Sequence, residues 1–402
     1  MRLPYKPRQY AQLMIDSPLV PRMQPHALSI FGEMSRRALE TDSINLGQGF
    51  PDTDGPLELK EEVVRCLTEG IGNQYPPAHG FPQLRQAICE HQARFYGLQL
   101  DPDTDAVVTT GASEAISASL LALVESGDEV VMCDPAFDVY RAAVDLAGAT
   151  PVGVPMTTTD LRPDIEAIAL AITPRTKVLL LNSPHNPTGV VFTREEMIAL
   201  ANLAITHNLV VISDEAYEHL WFDNHQHIPM ATLPGMFERT ITIGSGGKSF
   251  SFTGWKVGWA TGPANLIHAV RTVRQHLSFV SGGPFQLAIA HGLRFPDTYF
   301  DDFRQDLTDK RDQLAVGLAS AGFSVLPTEG TYFITTDISG LGFTDGLDFC
   351  QQLPELSRVV AIPHQVFYGD PRNGTNHVRW AFCKKPEVLA EATDRLQVLL
   401  QR

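Results

Sequence analysis

The sequence predicts an α/β protein organised around a largely parallel sheet, with a smaller α+β domain beside it. Two observations carry this. Short β-rich runs alternate with amphipathic stretches through the middle of the chain in at least five βαβ-like units, and from about Phe300 the pattern changes to a long helix, shorter strands and a closing helix. The length of 402 residues allows two or three domains and a large buried core.

Taken in order, residues 106–110 read as a strand that stops at Gly111, and 112–124 as a helix with Ser113 near its cap. A strand over 129–133 is broken by Asp134-Pro135 and leads into a helical run over 137–146. Residues 177–182 form an apolar run ending at Ser183-Pro184-His185-Asn186-Pro187-Thr188-Gly189, a loop that proline and glycine force out of regular structure. Thr193-Arg194-Glu195-Glu196 matches a capping box and starts a helix to about Asn208. The runs 209–213 and 240–244 are buried-strand candidates. Strands over 323–326, 332–337 and 377–383 and an amphipathic helix over 387–400 complete the chain. This divides it into an N-terminal segment, 1–55, packing with the small domain, a large domain, 56–298, and a C-terminal small domain, 299–402.

Composition narrows the function. With 44% hydrophobic and 19% charged residues the chain is expected to fold throughout. Its 31 basic and 46 acidic residues leave a net charge of −15, which argues against non-specific binding to nucleic acid or anionic lipid. An anionic substrate then needs a locally basic pocket. The five cysteines are odd in number, dispersed and never in a Cys-x-x-Cys arrangement, so no disulfide framework or zinc site is expected and the compartment reads as reducing. Residues 1–25 contain no apolar signal-peptide core, and the uncharged stretch 275–293 is interrupted by Ser281-Gly282-Gly283-Pro284, so neither leader nor membrane span is expected and the chain reads as cytoplasmic.

Five features carry chemistry. Lys248 lies in Ser245-Gly246-Gly247-Lys248-Ser249-Phe250, directly after a buried strand, where a lysine of lowered pKa can form a Schiff base with an aldehyde cofactor; a solvated loop lysine is the plain alternative. Asp214, in Asp214-Glu215-Ala216-Tyr217 at a strand end, is placed to hold a protonated pyridine nitrogen or merely to cap a helix. Asn186 offers an amide donor from a loop that is also an ordinary turn signal. Gly111-Ala112-Ser113 lies at a strand-to-helix junction of the kind that receives phosphate. Arg379, in His377-Val378-Arg379-Trp380-Ala381-Phe382, needs an anion among its apolar neighbours, either an α-carboxylate or an internal acid.

Together these features resemble the class I/II, fold-type I pyridoxal-phosphate aminotransferases from about Pro25 to the C-terminus. The motifs Asn45-Leu46-Gly47-Gln48-Gly49-Phe50-Pro51-Asp52, Asn73-Gln74-Tyr75, Asn182-Ser183-Pro184-His185-Asn186-Pro187-Thr188-Gly189, Asp214-Glu215-Ala216-Tyr217-Glu218-His219 and Gly254-Trp255-Lys256-Val257-Gly258-Trp259 are most similar to the branch of kynurenine/glutamine, methionine and N-succinyldiaminopimelate aminotransferases. The resemblance implies a mostly parallel seven-stranded sheet, a pyridoxal 5'-phosphate cofactor and a homodimer with shared active sites. It implies that Lys248 carries the cofactor as a Schiff base and moves the proton, that Asp214 pairs with the ring nitrogen, and that Tyr217 and Asn186 bond the ring oxygen. Phe137 would stack on the ring. Gly111, Ala112, Ser113, Ser245 and Lys256 would hold the phosphate with Tyr75 of the neighbouring subunit, and Asn182 would belong to the cofactor site. Arg379 would clamp the α-carboxylate with Asn186, under the loop of Gly49 and beside Phe279 of the other subunit.

Departures bear on the substrate. Ser113 stands where kynurenine aminotransferases have an aromatic residue and Val280 where they have a histidine, while His185 is shared with the succinyldiaminopimelate-like members. The resemblance thus implies transamination to a 2-oxo acid such as 2-oxoglutarate, with N-succinyl-LL-2,6-diaminopimelate as the favoured donor. A broad kynurenine/methionine/glutamine-type enzyme and a cysteine-conjugate carbon–sulfur β-lyase are the alternatives on the same scaffold. A ligand sensor fused to a DNA-binding module fits less well, because only 46 residues precede Gly47, and the 2-amino-3-oxo acid synthases rank lower on the phrasing of the Asn186 and Arg379 motifs.

Overall fold

The computed structural model describes residues 18–27 and 29–401; most of the stretch read for a leader lies outside the described residues. Thirteen strands occur among the described residues in chain order: β1 (Ile44–Asn45), β2 (Ala106–Thr110), β3 (Glu129–Asp134), β4 (Thr150–Pro155), β5 (Thr176–Asn182), β6 (Val210–Asp214), β7 (Thr240–Ser245), β8 (Val257–Thr261), β9 (Ser324–Val325), β10 (Phe333–Asp337), β11 (Val359–Val360), β12 (Ile362–Pro363) and β13 (His377–Ala381). Seven of them form one sheet in the order β2-β8-β7-β6-β5-β3-β4. All its pairings are parallel except those of β8, which runs against both neighbours.

Both faces of this sheet are covered, which is why its central strands are continuously apolar. In β5, Val178 and Leu180 pack into the cluster holding Val130, Ile212 and Ile241, while Leu179 and Leu181 face the opposite cluster with Val131, Val211 and Leu200. The capping box forms as the sequence expects: Thr193 Oγ1 accepts from Glu196 N at 3.2 Å, and Glu196 Oε2 accepts from Thr193 N at 2.7 Å. One boundary moves. The helix after β2 starts at Gly111 itself, with Thr110 at its N-cap, so Ser113 lies inside its first turn instead of at the cap.

A second sheet, antiparallel in the order β12-β13-β10-β9, packs under the 24-residue helix Asp297–Ser320 and the helix Pro386–Leu396. The N-terminal segment joins it through β1, which pairs in parallel with β11. The turn Pro21–His26 instead lies on the helix Asp138–Ala147, where His26 Nε2 meets Asp145 Oδ2 at 2.7 Å. Between β1 and Phe50 the chain is suspended from its carbonyls. Gly47 O accepts from Arg379 Nη2 at 3.0 Å, Gly49 O from Tyr332 Oη at 2.6 Å and Phe50 O from Lys384 Nζ at 2.7 Å. Gly49 has no room for a side chain, since a Cβ there would fall 2.5 Å from the Phe333 ring. Among the described residues no helix is long and apolar enough to cross a membrane.

Candidate active site

The carboxyl ends of the parallel strands are where an open α/β sheet presents its ligand-binding groups. Asn182, Asp214 and Ser245 are the last residues of β5, β6 and β7, and Gly111 directly follows β2. With Arg379 from β13 and Gly49 from the suspended loop they line one cavity of about 420 Å³. Ala112, Ser113, Phe137, Asn186, Tyr217, Lys248 and Lys256 line it as well. Tyr75 and Phe279 do not. Tyr75 is 80% exposed and Phe279 41% exposed, and their rings meet edge to face with centroids 5.4 Å apart.

One end of the cavity is built for an anion. The helix Gly111–Leu123 directs its first free N–H groups there, and β8 comes so close that a Cβ on Gly258 would lie 2.5 Å from the Gly111 carbonyl carbon. Gly111 adopts φ +74°, and Lys256, itself at φ +52°, brings its amine to 3.2 Å from where a Gly111 Cβ would stand. A side chain at Gly111 would therefore be strained and would crowd the lysine.

At the other end of the ring-sized space, Asp214 is buried. Its Oδ2 accepts from Tyr140 Oη at 2.7 Å and its Oδ1 from Ala216 N at 3.1 Å. It caps no helix. Burial pushes its carboxyl above the usual range, while the Tyr140 and Ala216 hydrogen bonds and the Lys248 charge oppose the shift. Asn182 acts as a brace: its Nδ2 donates to Asp214 O at 2.9 Å and its Oδ1 accepts from Asn186 N at 2.8 Å. Burial also raises the Tyr217 hydroxyl well above its ordinary value.

Lys248 and Arg379 face this space, and among the described residues neither forms a salt bridge, although the Asp138 charge acts on Arg379. Lys248 donates from Nζ to Tyr332 Oη at 2.8 Å, and desolvation pushes its amine down to about 8. Arg379 is 2% exposed; its Nη1 donates to Asn186 Oδ1 at 2.9 Å, its Nη2 to Gly47 O, and its buried Nε has no partner. Phe333, Phe367 and Phe31 surround the guanidinium at 4.0, 4.9 and 5.2 Å from their ring centroids, and burial lowers it to about 10. The internal salt bridge that the sequence left open is not formed.

These groups fit pyridoxal phosphate: an anion cup at one end, a buried carboxylate at the other, a reactive amine between them and the aromatic wall of Phe137. Three lining or contacting residues escape sequence reasoning. Tyr140 follows Phe137 by three positions and so shares its helix face, a spacing that gives it away once Phe137 is suspected. Asp138, first in that helix, lines the cavity; burial raises its carboxyl, and the Arg379 charge and the first backbone N–H groups of the helix oppose the shift. Tyr332 carries no local signal, since it meets Lys248 only through the packing of the two sheets.

The family model of aminotransferase class I and II matches residues 41–396. The chain is 46% identical over 394 residues to a probable N-succinyldiaminopimelate aminotransferase of Mycobacterium tuberculosis, covering 95% of this chain and 99% of that one. It is 39% identical over 392 residues to the methionine aminotransferase of Escherichia coli, covering 96% and 100%. The solved structure of N-succinyldiaminopimelate aminotransferase from Mycobacterium tuberculosis superposes with a TM-score of 0.93 over 95% of this chain and 100% of that one.

Proposed function

From the premise that the chain belongs to the class I and II aminotransferases, pyridoxal-phosphate enzymes that move an amino group from an amino acid to a 2-oxo acid, we propose that its donor is N-succinyl-LL-2,6-diaminopimelate and its acceptor 2-oxoglutarate. Arg379 carries the substrate half of this reading. A buried guanidinium, oriented by Asn186 and Gly47 and forming no salt bridge among the described residues, faces the same cavity as Lys248 and is a ready receptor for an α-carboxylate. The 46% identity over nearly the whole Mycobacterium relative supports the choice of donor.

Bound in this cavity, pyridoxal phosphate supplies an electron sink for the pair left at the substrate Cα when its proton departs. The chain does the rest. Ala112 and Ser113 N–H groups, Ser245 and Lys256 would hold the phosphate, and Asp214 would keep a proton on the ring nitrogen. Tyr217 and the free Nδ2 of Asn186 would donate to the ring oxygen. Lys248 would hold the cofactor through Nζ and, once free, would take the Cα proton there. The two half-reactions alternate on one site, giving ping-pong kinetics.

The test is to add single amino acids to the purified holoenzyme and follow its absorbance. Conversion by N-succinyl-diaminopimelate, reversed by 2-oxoglutarate, is the expected result. Conversion by methionine or kynurenine and not by the succinylated donor overturns the donor assignment, and release of pyruvate and ammonia without any oxo acid identifies a lyase.

We further assign the protein as a cytoplasmic homodimer. Val64 and Leu67 are exposed on the helix Leu57–Glu69, and exposed Ile71 and Tyr75 follow in the loop after it, apolar surface that suits a second copy of this chain. Five free, buried cysteines support a reducing compartment. Mixing Tyr75→Ala with Lys248→Ala subunits is expected to restore activity, because each mixed dimer then holds one intact site; no recovery on demonstrated subunit exchange argues against sharing.

Tyr140→Phe is expected to weaken cofactor retention about tenfold, the cost of one hydrogen bond to a charged group. Losing that donor raises the Asp214 carboxyl further, so retention fails first toward acid pH. Equilibrium titration of the cofactor-free protein across pH reads both effects.

A further inference from the structure

Tyr332 stands between two groups that the mechanism uses. Its hydroxyl has one proton, and that proton is donated to Gly49 O at 2.6 Å. Toward Lys248 it can therefore only accept, and Nζ donates to it at 2.8 Å. The direction of this bond matters. A phenol that donated to the amine would occupy the nitrogen lone pair, whereas a phenol that accepts one of its N–H groups leaves the lone pair free for an incoming proton. The ring is fixed for the task, 1% exposed and packed edge to face against Tyr217 at 5.3 Å and Phe333 at 4.8 Å.

We propose that Tyr332 is a positioning residue of transamination, which holds the free Lys248 amine by one N–H, keeps its lone pair open to the Cα proton, and ties it to the loop whose Gly47 carbonyl orients Arg379. In the donor half-reaction the proton leaves the C–H bond at Cα for the Nζ lone pair and is passed on from Nζ; in the acceptor half-reaction it runs the other way, from Nζ to the carbon that becomes Cα, and Tyr332 keeps its own proton throughout. The inference rests on Lys248 being the proton carrier. Through Gly49, release of the lysine and the setting of the carboxylate clamp involve one hydrogen-bonded chain, Lys248–Tyr332–Gly49, two residues from Gly47.

The test uses Tyr332→Phe in two readouts. In the cofactor-free full-length protein, competitive acetylation of Lys248 is followed by mass spectrometry as a function of pH. The ammonium loses an acceptor in the variant, so the labelling curve is expected to move to lower pH by roughly one pH unit, a tenfold change in the amine-to-ammonium ratio. Of the other groups acting on Lys248, Asp214, Cys383, Lys256 and Arg379 are the same in both proteins, while Tyr217 loses the contact its hydroxyl makes with that of Tyr332. In the holoenzyme, kcat is expected to fall roughly 100-fold with the donor KM little changed. The isotope effect with donor deuterated at Cα should rise, because proton transfer becomes slower than the other steps. Coincident labelling curves, or a loss confined to KM with an unaltered isotope effect, overturn the proposal. If Tyr332→Phe does not fold, a difluorotyrosine installed at 332 keeps shape and hydroxyl while weakening the acceptor, and must shift the curve in the same direction. Failure of wild-type enzyme to convert any amino donor would instead refute the transaminase reading and leave the labelling result standing.

Discussion

Lys248→Ala is expected to abolish covalent attachment of the cofactor and to lower transamination by roughly 10⁴-fold, the upper end of what a positioned acid–base group supplies. The argument starts from the free amine. With Lys248 held at about 8, roughly a tenth of it is neutral at pH 7, against a few parts in ten thousand for an ordinary lysine. Desolvation in the cavity is the main cause of that shift, and Asp214 works against it. Borohydride reduction followed by intact-mass measurement reads the attachment: the wild type gains the cofactor's mass and the alanine variant does not. Attachment that persists in the variant would move the role to Lys256, the other lysine lining the cavity. The anion cup, built from Lys256, Ser245 and the helix N-terminus, is untouched by the substitution, so the variant should still bind pyridoxal phosphate reversibly.

Arg379→Ala should lower kcat/KM for the amino donor by roughly 10²- to 10³-fold, as truncation of a buried charge that pairs with a ligand does. The substitution removes both the receptor for the carboxylate and the partner of Asn186 Oδ1 and Gly47 O. Arg379→Lys is expected to recover little, because an ammonium cannot engage Asn186, Gly47 and a carboxylate in one plane. Cofactor affinity, measured by titration, should change far less than kcat/KM. A variant that keeps its kcat/KM for every donor would show that the carboxylate binds elsewhere.

The parts of this molecule legible in the sequence are those governed by neighbours along the chain. The Thr193 capping box, the apolar run of β5, the end of β6 at Asp214 and the loop that carries Asn186 each follow from local pattern. Strand β4 does not, since Pro151, Gly153 and Pro155 disguise a partly exposed edge strand. Strand β8 was hidden inside the Gly-Trp-Lys-Val-Gly-Trp motif and became visible only through its antiparallel pairing. In the site, the acceptor of the Lys248 proton and the donor to Asp214 were both absent from the sequence reading. Tyr332 reaches Lys248 across 84 positions and Tyr140 reaches Asp214 across 74. A hydroxyl announces nothing about its partner until the sheets are packed. Arg379 was recognised as needing an anion, but only the structure shows that no acid among the described residues forms a salt bridge with it.

The suspension of the loop between β1 and Phe50 has a consequence for how the protein is made. Its three carbonyl anchors come from side chains 283, 332 and 334 positions later. During synthesis the sheet, Asp214, Ser245 and Lys248 all emerge before any of these anchors exists, so the growing chain can complete its anion cup and reactive amine first. The carboxylate clamp waits for Arg379, which follows Gly47 by 332 positions, and such distant closures are slow. In the order of synthesis, the residues of the anion cup and the reactive amine therefore precede the arginine that would select the substrate.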